Sequence, residues 1–593
     1  MDQLRNMIFL LLLLGAFVSH GSTADEIAAA GAVDFQWGVG IPLSDGVHLN
    51  ATVYRPHDQS APRPCVFTLT PYTGETYHNR GIYFAAHGYP FLTVDARGRG
   101  NSEGMFRPFL QEAHDGYEIV EWLARQPYCN GKVAMWGGSY AGYDQWATAK
   151  KRPPHLATIV PVASSFMMVD FPGPTAMVPD AIQWLTLTSG HTAQFGIWGD
   201  DALWMAIFRR WHESGTPFRQ LDQFAGNPSP IFQEWISHPD TDAYWDEYNP
   251  TAQEYGSLEI PILTITGIYD GDQLGALEHY RRYMKSTSAA GRARHYLVIG
   301  PWDHAGTRTP KDTFGGLNFG PASLMDLPKL HLDWYSWTME GGPKPAVLTK
   351  PVLYYVTGAE RWREADTLEG ITVERRPFYL DSTGGAARGV YAPGNLGPSS
   401  HNGGPDRYFY DPSAPTMAAI ESAVTPDSLV DQQVQNSNQA QVVYQSAPFT
   451  AETEVSGFFA LTAYIGIDQK DTDFVVSVYE ATLDGRVILL SSDFKRARYR
   501  ETARSATLVM TRDPLRYEFK SFTFTSRMIG KGSRLRLIVS AANSVFAETN
   551  YNAGGIVAEE SVKDAHPVNV RLYHDHQHPS VLYVPLAGTN GPN

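Results

Sequence analysis

The residues around a serine in the first third of the chain are of the types that make a serine hydroxyl group reactive. Val133 to Gly142 read Val-Ala-Met-Trp-Gly-Gly-Ser-Tyr-Ala-Gly, where a predicted strand ends at Trp136 and a predicted helix begins near Tyr140. A strand, a glycine turn and a helix lift a serine above a sheet edge. The start of the helix also directs backbone N–H groups toward a developing negative charge. We therefore predict that Ser139 is a nucleophile for acyl transfer.

Two later loops supply the acid and the base that such a serine needs. Asp270 stands in Gly-Ile-Tyr-Asp-Gly and His304 in Gly-Pro-Trp-Asp-His, each just after a predicted strand. The chain order Ser, Asp, His is that of α/β-hydrolases, whose sites form where parallel strands end. We expect His304 to accept the proton of Ser139 and Asp270 to orient the imidazole ring. Asp272 is the alternative acid, and Asp303 is expected to be structural.

The elements that must position these residues alternate between strands and helices. Apolar, β-branched and aromatic runs predict eight strands, at residues 33–40, 48–54, 65–70, 91–95, 133–136, 158–162, 262–266 and 295–299. Helical patterns cover residues 111–125 and 140–151. Such alternation, with nearly continuous apolar strands, indicates a mostly parallel sheet covered on both faces. We predict an eight-stranded α/β-hydrolase core built from residues 25–165 and 251–345.

The chain departs from this alternation in two regions. Residues 166–250 have a helical pattern and carry six of the 14 tryptophans, which predicts an inserted helical cap. A cap turns one face toward the sheet, so some of its aromatic residues, among them Trp184, are expected to line a substrate pocket. Residues 346–593 change to short alternating strands with Gly, Pro, Asn and Ser turns, which predicts an antiparallel β-sandwich.

Composition narrows the class of protein. The 593 residues are 43% hydrophobic and 18% charged, which excludes an intrinsically disordered chain. The net charge of −15 disfavours a duplex nucleic acid as partner. The sequence contains no H-E-x-x-H motif and no Walker loop, so metalloprotease and P-loop functions are not indicated. We expect an enzyme for small molecules that needs no metal or organic cofactor, and a homo-oligomer remains open.

The N-terminus predicts export. An apolar run over residues 7–18 is 12 residues long, short of the roughly 20 that span a bilayer. Ser22-Thr-Ala24 offers small residues for signal peptidase. We predict a signal peptide over residues 1–24 and a secreted or periplasmic mature protein without a stable membrane anchor.

Cysteine and histidine residues give two weaker signals. Cys65 begins the third predicted strand and Cys129 precedes the fifth, and these strands are neighbours in α/β-hydrolases. Both a disulfide and two buried free thiols are therefore compatible with the sequence. His574, His576 and His578 alternate, which on a strand places them on one face. A metal site is one interpretation of this run, and an exposed strand end is the favoured one.

The motifs together resemble the cocaine-esterase-type, X-Pro-dipeptidyl-peptidase-like serine hydrolases. The resemblance rests on Gly137-Gly-Ser-Tyr-Ala-Gly142, Tyr269-Asp-Gly271, Gly300-Pro-Trp-Asp-His304 and the run Asp95-Ala-Arg-Gly-Arg-Gly-Asn-Ser-Glu-Gly104. It extends over nearly all of the mature chain. It implies three parts, namely an α/β-hydrolase core, a helical cap and a C-terminal jelly roll.

The resemblance also implies further site residues. The oxyanion hole of this family combines a tyrosine hydroxyl group with the backbone N–H after the serine, which here are those of Tyr72 and Tyr140. Members that hydrolyse α-amino-acid esters bind the substrate ammonium with carboxylates, for which Asp272 and Asp170 are the candidates. Gln273 stands where a further acid would be expected.

These observations predict a serine hydrolase that cleaves a carboxylic ester or amide through an acyl-enzyme. The aromatic cap favours a hydrophobic or aromatic acyl group. Two alternatives share the fold, namely an α-amino-acid ester hydrolase or acylase and an X-Pro-dipeptidyl-peptidase-type exopeptidase. A non-catalytic protein is a third alternative, because a jelly roll can bind carbohydrate.

Overall fold

The computed structural model describes residues 24–173, 176–383, 385, 387–414, 428–430, 438–542 and 544–588. The predicted signal peptide, residues 1–24, lies outside the described residues except for Ala24, where a helix begins. Within the described ranges, no helix combines the length and the apolar character needed to cross a bilayer.

A mostly parallel sheet forms the N-terminal part of the fold. Eight of its strands lie where the sequence predicts them: β1 Val33–Pro42, β2 His48–Pro56, β3 Arg63–Thr70, β4 Phe91–Asp95, β5 Cys129–Gly138, β6 Leu156–Val162, β7 Ile262–Tyr269 and β8 His295–Asp303. Four more strands follow: β9 Thr313–Phe314, β10 Leu317–Asn318, β11 Val352–Val356 and β12 Arg361–Ala365. The sheet order is β1-β2-β4-β3-β5-β6-β7-β8-β11-β12, and β9 pairs with β10 separately.

Strands β11 and β12 give the sheet ten strands where the sequence predicts eight. All five residues of β11 are buried, and the strand pairs in parallel with β8. Strand β12 then pairs antiparallel with β11. A segment that the sequence assigns to the C-terminal domain therefore completes the hydrolase sheet, because its apolar run is buried against β8.

Helices cover the sheet and fill the insertion between β6 and β7. They are α1 Ala24–Gly31, α2 His78–Ala86, α3 Glu112–Ala124, α4 Tyr140–Lys150, α5 Asp180–Leu187, α6 Phe195–Trp198, α7 Asp201–Ser214, α8 Leu221–Phe224, α9 Pro230–Ile236, α10 Ala243–Asp246, α11 Ala252–Gly256, α12 Gln273–Ser286, α13 Ala289–Arg292 and α14 Leu327–Tyr335. Helices α5 to α11 make up the cap, and its core contains the buried side chains of Trp204, Trp211, Trp235 and Trp245.

The C-terminal part is a β-sandwich around one large hydrophobic core. Its strands are β13 Glu374–Asp381, β14 Gly394–Gly397, β15 Asp406–Tyr410, β16 Gln441–Ser446, β17 Thr453–Gly457, β18 Ala460–Ile467, β19 Asp473–Ala481, β20 Val487–Arg496, β21 Leu515–Phe519, β22 Thr525–Ile529, β23 Arg534–Ala541, β24 Val568–Tyr573 and β25 Val581–Leu586. Their pairings are antiparallel except that of β14 with β16.

The two weaker sequence signals have definite outcomes. Cys65 and Cys129 are buried free thiols, so the disulfide alternative is not realised. The two thiols are neighbours, and the interaction with Cys65 is the largest of the effects that lower the pKa of Cys129. Strand β24 ends before His574, and this side chain is fully buried with Nε2 3.1 Å from Asp406. The expectation of an exposed strand end is therefore wrong for His574, and the described residues contain no cluster suited to a metal ion.

Candidate active site

Ser139 lies at the sharp turn between β5 and α4. Its backbone has φ 61° and ψ −127°, a left-handed region that non-glycine residues rarely adopt. Such strain costs about 1–3 kcal/mol and persists only where the surroundings enforce it. Glycines allow the close packing: a Cβ at Gly137 would lie 2.6 Å from the Ala141 side chain, and one at Gly142 would lie 2.5 Å from the Val162 carbonyl. The sequence thus folds locally into a turn that exposes the serine.

His304 and Asp270 follow the neighbouring strands β8 and β7. The imidazole Nδ1 lies 2.7 Å from Asp270 Oδ1. Thr266 donates to Asp270 Oδ2 at 2.8 Å, and the Asp272 N–H donates to Oδ1 at 3.0 Å. Burial would raise the pKa of Asp270, but its interaction with His304 and these hydrogen bonds hold it below its usual value. Asp270 is thus an ionised carboxylate that fixes the orientation of the ring.

The electrostatics around His304 favour its charged form. Burial opposes a positive charge on the ring, yet the carboxylates of Asp272 and Asp270 outweigh burial and raise the pKa of His304. The Arg308 guanidinium acts in the opposite direction. Asp272 Oδ2 is 3.8 Å from the ring, and burial raises the pKa of Asp272 in turn. The imidazole and the nearby carboxylates therefore titrate as an interacting group.

Tyr72 and Tyr140 stand beside the serine in different ways. Trp184 Nε1 donates to the Tyr72 hydroxyl group at 3.0 Å. Burial raises the pKa of Tyr72, against smaller opposing effects of hydrogen bonds with Trp184 and Ser139, so the hydroxyl group keeps its proton. Tyr140 is the first residue of α4, where backbone N–H groups have no partner within the helix. Its own hydroxyl group donates to Glu112, away from Ser139.

One cavity of about 690 Å³ brings most of these residues together. Ser139, His304, Tyr72, Tyr140, Asp272 and Trp184 all line it. The cap contributes an apolar wall that contains Phe171, Trp184, Leu187, Phe195 and Trp198. Asp270 lies behind His304.

Asp170 is placed differently from the other candidates. Its carboxylate accepts hydrogen bonds from the Phe166 N–H at 2.9 Å and the Gly275 N–H at 2.7 Å. Burial raises the pKa of Asp170 to about 7. It does not line the cavity, which corrects the sequence-based assignment. The physical reason is Gly275: the carboxylate packs against the first turn of α12 at a position where a Cβ would be 2.1 Å away.

Gln273, which replaces an expected acid, connects two parts of the fold. Its amide nitrogen donates to the carbonyl groups of Gly267, Ile268 and Phe524 at 3.1, 2.9 and 3.0 Å. Its amide oxygen accepts from the Phe524 N–H at 2.6 Å. The side chain thus anchors the acid loop to the β-sandwich.

Two charged residues of the cavity have no motif that reveals them. Asp180, the first residue of α5, faces His304 from the cap, and burial raises its pKa to about 6. Arg308 lies four residues after His304 and packs over Gly138, where a Cβ would be 2.4 Å from Nη1. Nη1 is buried and has no hydrogen-bond partner in the described part of the chain. The short spacing from His304 is the one signal in the sequence that could have drawn attention to Arg308.

A parallel sheet, a strained serine at its edge and a helical cap define an α/β-hydrolase-type serine hydrolase. Family models support this class along the chain. The X-Pro dipeptidyl-peptidase (S15 family) model matches residues 45–306, and the model of the X-Pro dipeptidyl-peptidase C-terminal non-catalytic domain matches residues 346–583. The chain belongs to the cocaine-esterase-type, X-Pro-dipeptidyl-peptidase-like serine hydrolases, as the motifs predicted.

Individual relatives agree with this assignment. A cocaine esterase from Rhodococcus sp. (strain MB1 Bresler) is 26% identical over 570 residues, which cover 92% of this chain and 97% of the relative. An aminopeptidase from the marine sediment archaeon Thaumarchaeota archaeon has a TM-score of 0.79 at 20% identity, covering 97% of this chain and 99% of that one. An α-amino acid ester hydrolase has a TM-score of 0.80 at 20% identity, covering 96% and 99%. The two structures establish a shared fold.

Proposed function

We propose that Ser139, His304 and Asp270 form a catalytic triad that hydrolyses a carboxylic ester through an acyl-enzyme. The observation that carries this proposal is the 2.7 Å contact between His304 Nδ1 and Asp270 Oδ1, on a cavity that Ser139 also lines. The similarity to a cocaine esterase over 97% of its length supports an ester as substrate.

The proposed mechanism has two halves. Ser139 Oγ attacks the carbonyl carbon of the ester while His304 Nε2 takes its proton. The Tyr72 hydroxyl group and the Tyr140 N–H donate to the oxyanion, and the intermediate expels the alcohol, which His304 protonates. Water then attacks the acyl-enzyme with His304 as base, and the carboxylic acid leaves Ser139 free again. Asp270 holds the ring and stabilises its positive charge throughout.

Labelling and a substrate series test the nucleophile. Ser139→Ala is expected to lose reaction with a fluorophosphonate probe and to lose about 10⁶-fold in kcat on p-nitrophenyl esters. A folded protein with an unchanged melting temperature is the required control. Labelling that persists in Ser139→Ala would contradict the proposed nucleophile.

We further propose that the acyl group is hydrophobic or aromatic, because the cap wall of the cavity is apolar. Trp198→Ala is expected to lower the preference for benzoyl and phenylacetyl esters over acetyl esters. Trp122→Ala, a change to a half-buried tryptophan on α3 that does not line the cavity, is the matched control. An unaltered ranking of acyl groups in Trp198→Ala would contradict this part of the proposal.

A second candidate function is cleavage next to an α-amino group, as in α-amino-acid ester hydrolases or X-Pro dipeptidyl peptidases. The carboxylates of Asp272 and Asp180 on the cavity wall favour it, because they can pair with an ammonium group. Rates on p-nitrophenyl esters, α-amino esters and X-Pro anilides separate the candidates. A preference for α-amino substrates that Asp272→Asn abolishes would support this alternative.

We also propose that the enzyme is exported after removal of residues 1–24, on the strength of the N-terminal sequence. The mature protein in the culture medium or periplasm is expected to begin at Asp25. N-terminal sequencing tests this, and an intact Met1 on fully active protein would contradict it.

A further inference from the structure

A second cavity, of about 260 Å³, lies on the other side of the segment that follows Tyr72. Thr76 and Tyr77 line the catalytic cavity, whereas Thr73, Gly74 and Glu75 line the second one. The 3₁₀ turn Gly74–Tyr77 therefore forms a wall between the two. Any occupant of the second cavity touches the segment that carries the proposed oxyanion donor.

The floor of the second cavity is a polar patch on the hydrolase sheet. Thr52 on β2 faces Thr93 on β4 in register, and Asn50 and Asp95 lie beside them. Two residues further along each strand, the same sheet face carries the pair Tyr54 and Phe91. Thr93 is buried, and its hydroxyl group has no hydrogen-bond partner in the part of the chain that the structure describes. The Thr93 hydroxyl group at the cavity floor is therefore available to hydrogen-bond a polar group of an occupant.

Aromatic side chains form the mouth of the cavity. Phe35 and Trp37 on the edge strand β1 are 55% and 65% exposed. The Phe35 ring centroid lies 5.5 Å from that of Tyr54 and 6.4 Å from that of His78, which both line the cavity. Large exposed rings beside a pocket mark a surface that a ligand can cover.

The charge of the lining selects among ligands. Among the described residues, the lining of the second cavity contains the carboxylates of Glu75 and Asp95 and no lysine or arginine. Asp95 accepts from three uncharged donors, the Gly74 N–H at 2.6 Å, Asn50 Nδ2 at 2.9 Å and the Asn101 N–H at 3.2 Å. Glu75 is exposed. Negative charge beside aromatic ring faces attracts cations, most strongly at tryptophan.

We propose that the second cavity binds a substituted ammonium ion. Trp37 and Phe35 pack against its alkyl groups, and Glu75 supplies the counter-charge. At the floor of the cavity, the Thr93 hydroxyl group forms a hydrogen bond with a polar group of the ligand. This site is separate from the carboxylates of the catalytic cavity, and the inference does not depend on which ester the enzyme cleaves.

Calorimetric titration of choline into the full-length enzyme tests the proposal. Choline is expected to bind at one site, and its neutral isostere 3,3-dimethylbutan-1-ol is expected to bind at least tenfold more weakly. Trp37→Ala and Glu75→Gln should each weaken choline binding about threefold to thirtyfold, the range of a cation–π or exposed charge contact. Both side chains are exposed, so the variants are expected to keep the melting temperature of the wild type.

Two control variants locate the cation. Phe409→Ala removes a ring on β15 that is 56% exposed and lines no part of the second cavity, and it should leave binding unchanged. Asp272→Asn should also leave it unchanged. Choline binding that survives in Trp37→Ala and Glu75→Gln but is lost in Asp272→Asn would place the cation in the catalytic cavity and overturn the proposal. Equal binding of the neutral isostere, tighter binding of methyl glucoside, or no binding of choline would overturn the ligand class.

Discussion

Two buried titratable residues, Arg496 in the β-sandwich and Asp144 in the catalytic half, have opposite surroundings. In the sandwich, Arg496 is fully buried, with Nε and Nη2 at 2.8 and 3.0 Å from Asp473 and Nη1 3.0 Å from Glu548. In the catalytic half, Asp144 on α4 is equally buried, and neither of its carboxylate oxygens has a hydrogen-bond partner among the described residues. Burial and the neighbouring Glu112 raise the pKa of Asp144 well above its usual value.

The ion pairs of Arg496 contribute to the stability of the folded state, whereas the unpartnered carboxyl group of Asp144 lowers it when ionised. A buried ion pair with satisfied hydrogen bonds becomes essential once formed, because removal of one partner leaves the other uncompensated. Ionisation of a buried carboxyl group without a partner is unfavourable, so burial raises the pKa of Asp144 and favours its neutral form. The catalytic half thus contains two locally unfavourable features, the strained backbone of Ser139 and the buried carboxyl group of Asp144. Hydrogen bonds between Gln273 and Phe524 connect this half to the β-sandwich.

Among the variants that compare the two regions, Asp270→Asn has the largest expected effect, a loss of catalysis without loss of stability. Asp270→Asn should lower kcat on a p-nitrophenyl ester by about 10⁴-fold, because the amide no longer holds the imidazole in the required tautomer. The melting temperature should change little, since the two side chains have the same shape. A loss below tenfold would show that another acid, with Asp272 the first candidate, orients His304.

Arg496→Met should show the reverse pattern. It leaves Asp473 and Glu548 buried without their counter-charge, which costs about 3–5 kcal/mol in the free energy of unfolding. Denaturant unfolding of the β-sandwich measures this loss in the free energy of unfolding. The kcat of the folded fraction should match that of the wild type. An unchanged midpoint of unfolding would contradict the claim that the ion pairs of Arg496 stabilise the β-sandwich.

Tyr72→Phe tests the proposed oxyanion hole. Loss of the hydroxyl group should reduce kcat by about 10²–10³-fold with a small change in KM, since the interaction forms only with the oxyanion. Trp184→Phe removes the other partner of the same hydroxyl group and is the matched control, with a smaller expected loss. An equal rise in KM with unaltered kcat would assign Tyr72 to substrate binding.

The pH dependence of kcat/KM tests the charges around His304. The ring must be neutral to accept a proton, so activity falls as the pH drops through its raised pKa. Asp272→Asn removes a charge that raises this pKa, so the acid limb should move to lower pH. Arg308→Gln removes a charge that lowers it, so the limb should move to higher pH. Limbs that stay in place in both variants would contradict this electrostatic account.

Asp144→Asn should have the smallest effect. The folded-state pKa of Asp144 is raised, so its ionisation costs stability as the pH rises from the unfolded value through the folded one. The variant should therefore be within about 1 kcal/mol of the wild type at pH 5 and gain relative stability toward pH 9. Melting temperatures across this range measure the difference. A large loss at every pH would mean that Asp144 has a partner that it needs.

Features that depend only on neighbouring residues could be predicted from the sequence alone. The Gly-Gly-Ser turn at Ser139 and the loops with Asp270 and His304 are local, so their residue types indicate the backbone and the chain order indicates the chemistry. Strands β1 to β8 were equally predictable from short apolar runs. The family resemblance, confirmed by the models over residues 45–306 and 346–583, rests on the same local motifs.

Which of several similar residues come together depends on the packing of distant parts of the chain. Asp170 and Asp272 look alike in sequence, but a contact across 105 residues attaches Asp170 to the backbone of Gly275 and leaves Asp272 on the cavity. Strand β11 has the composition of either domain, and its burial against β8 places it in the hydrolase sheet. Asp180 and Arg308 reach the cavity through the packing of distant elements. Such contacts depend on how whole elements pack, and residue type alone does not encode that.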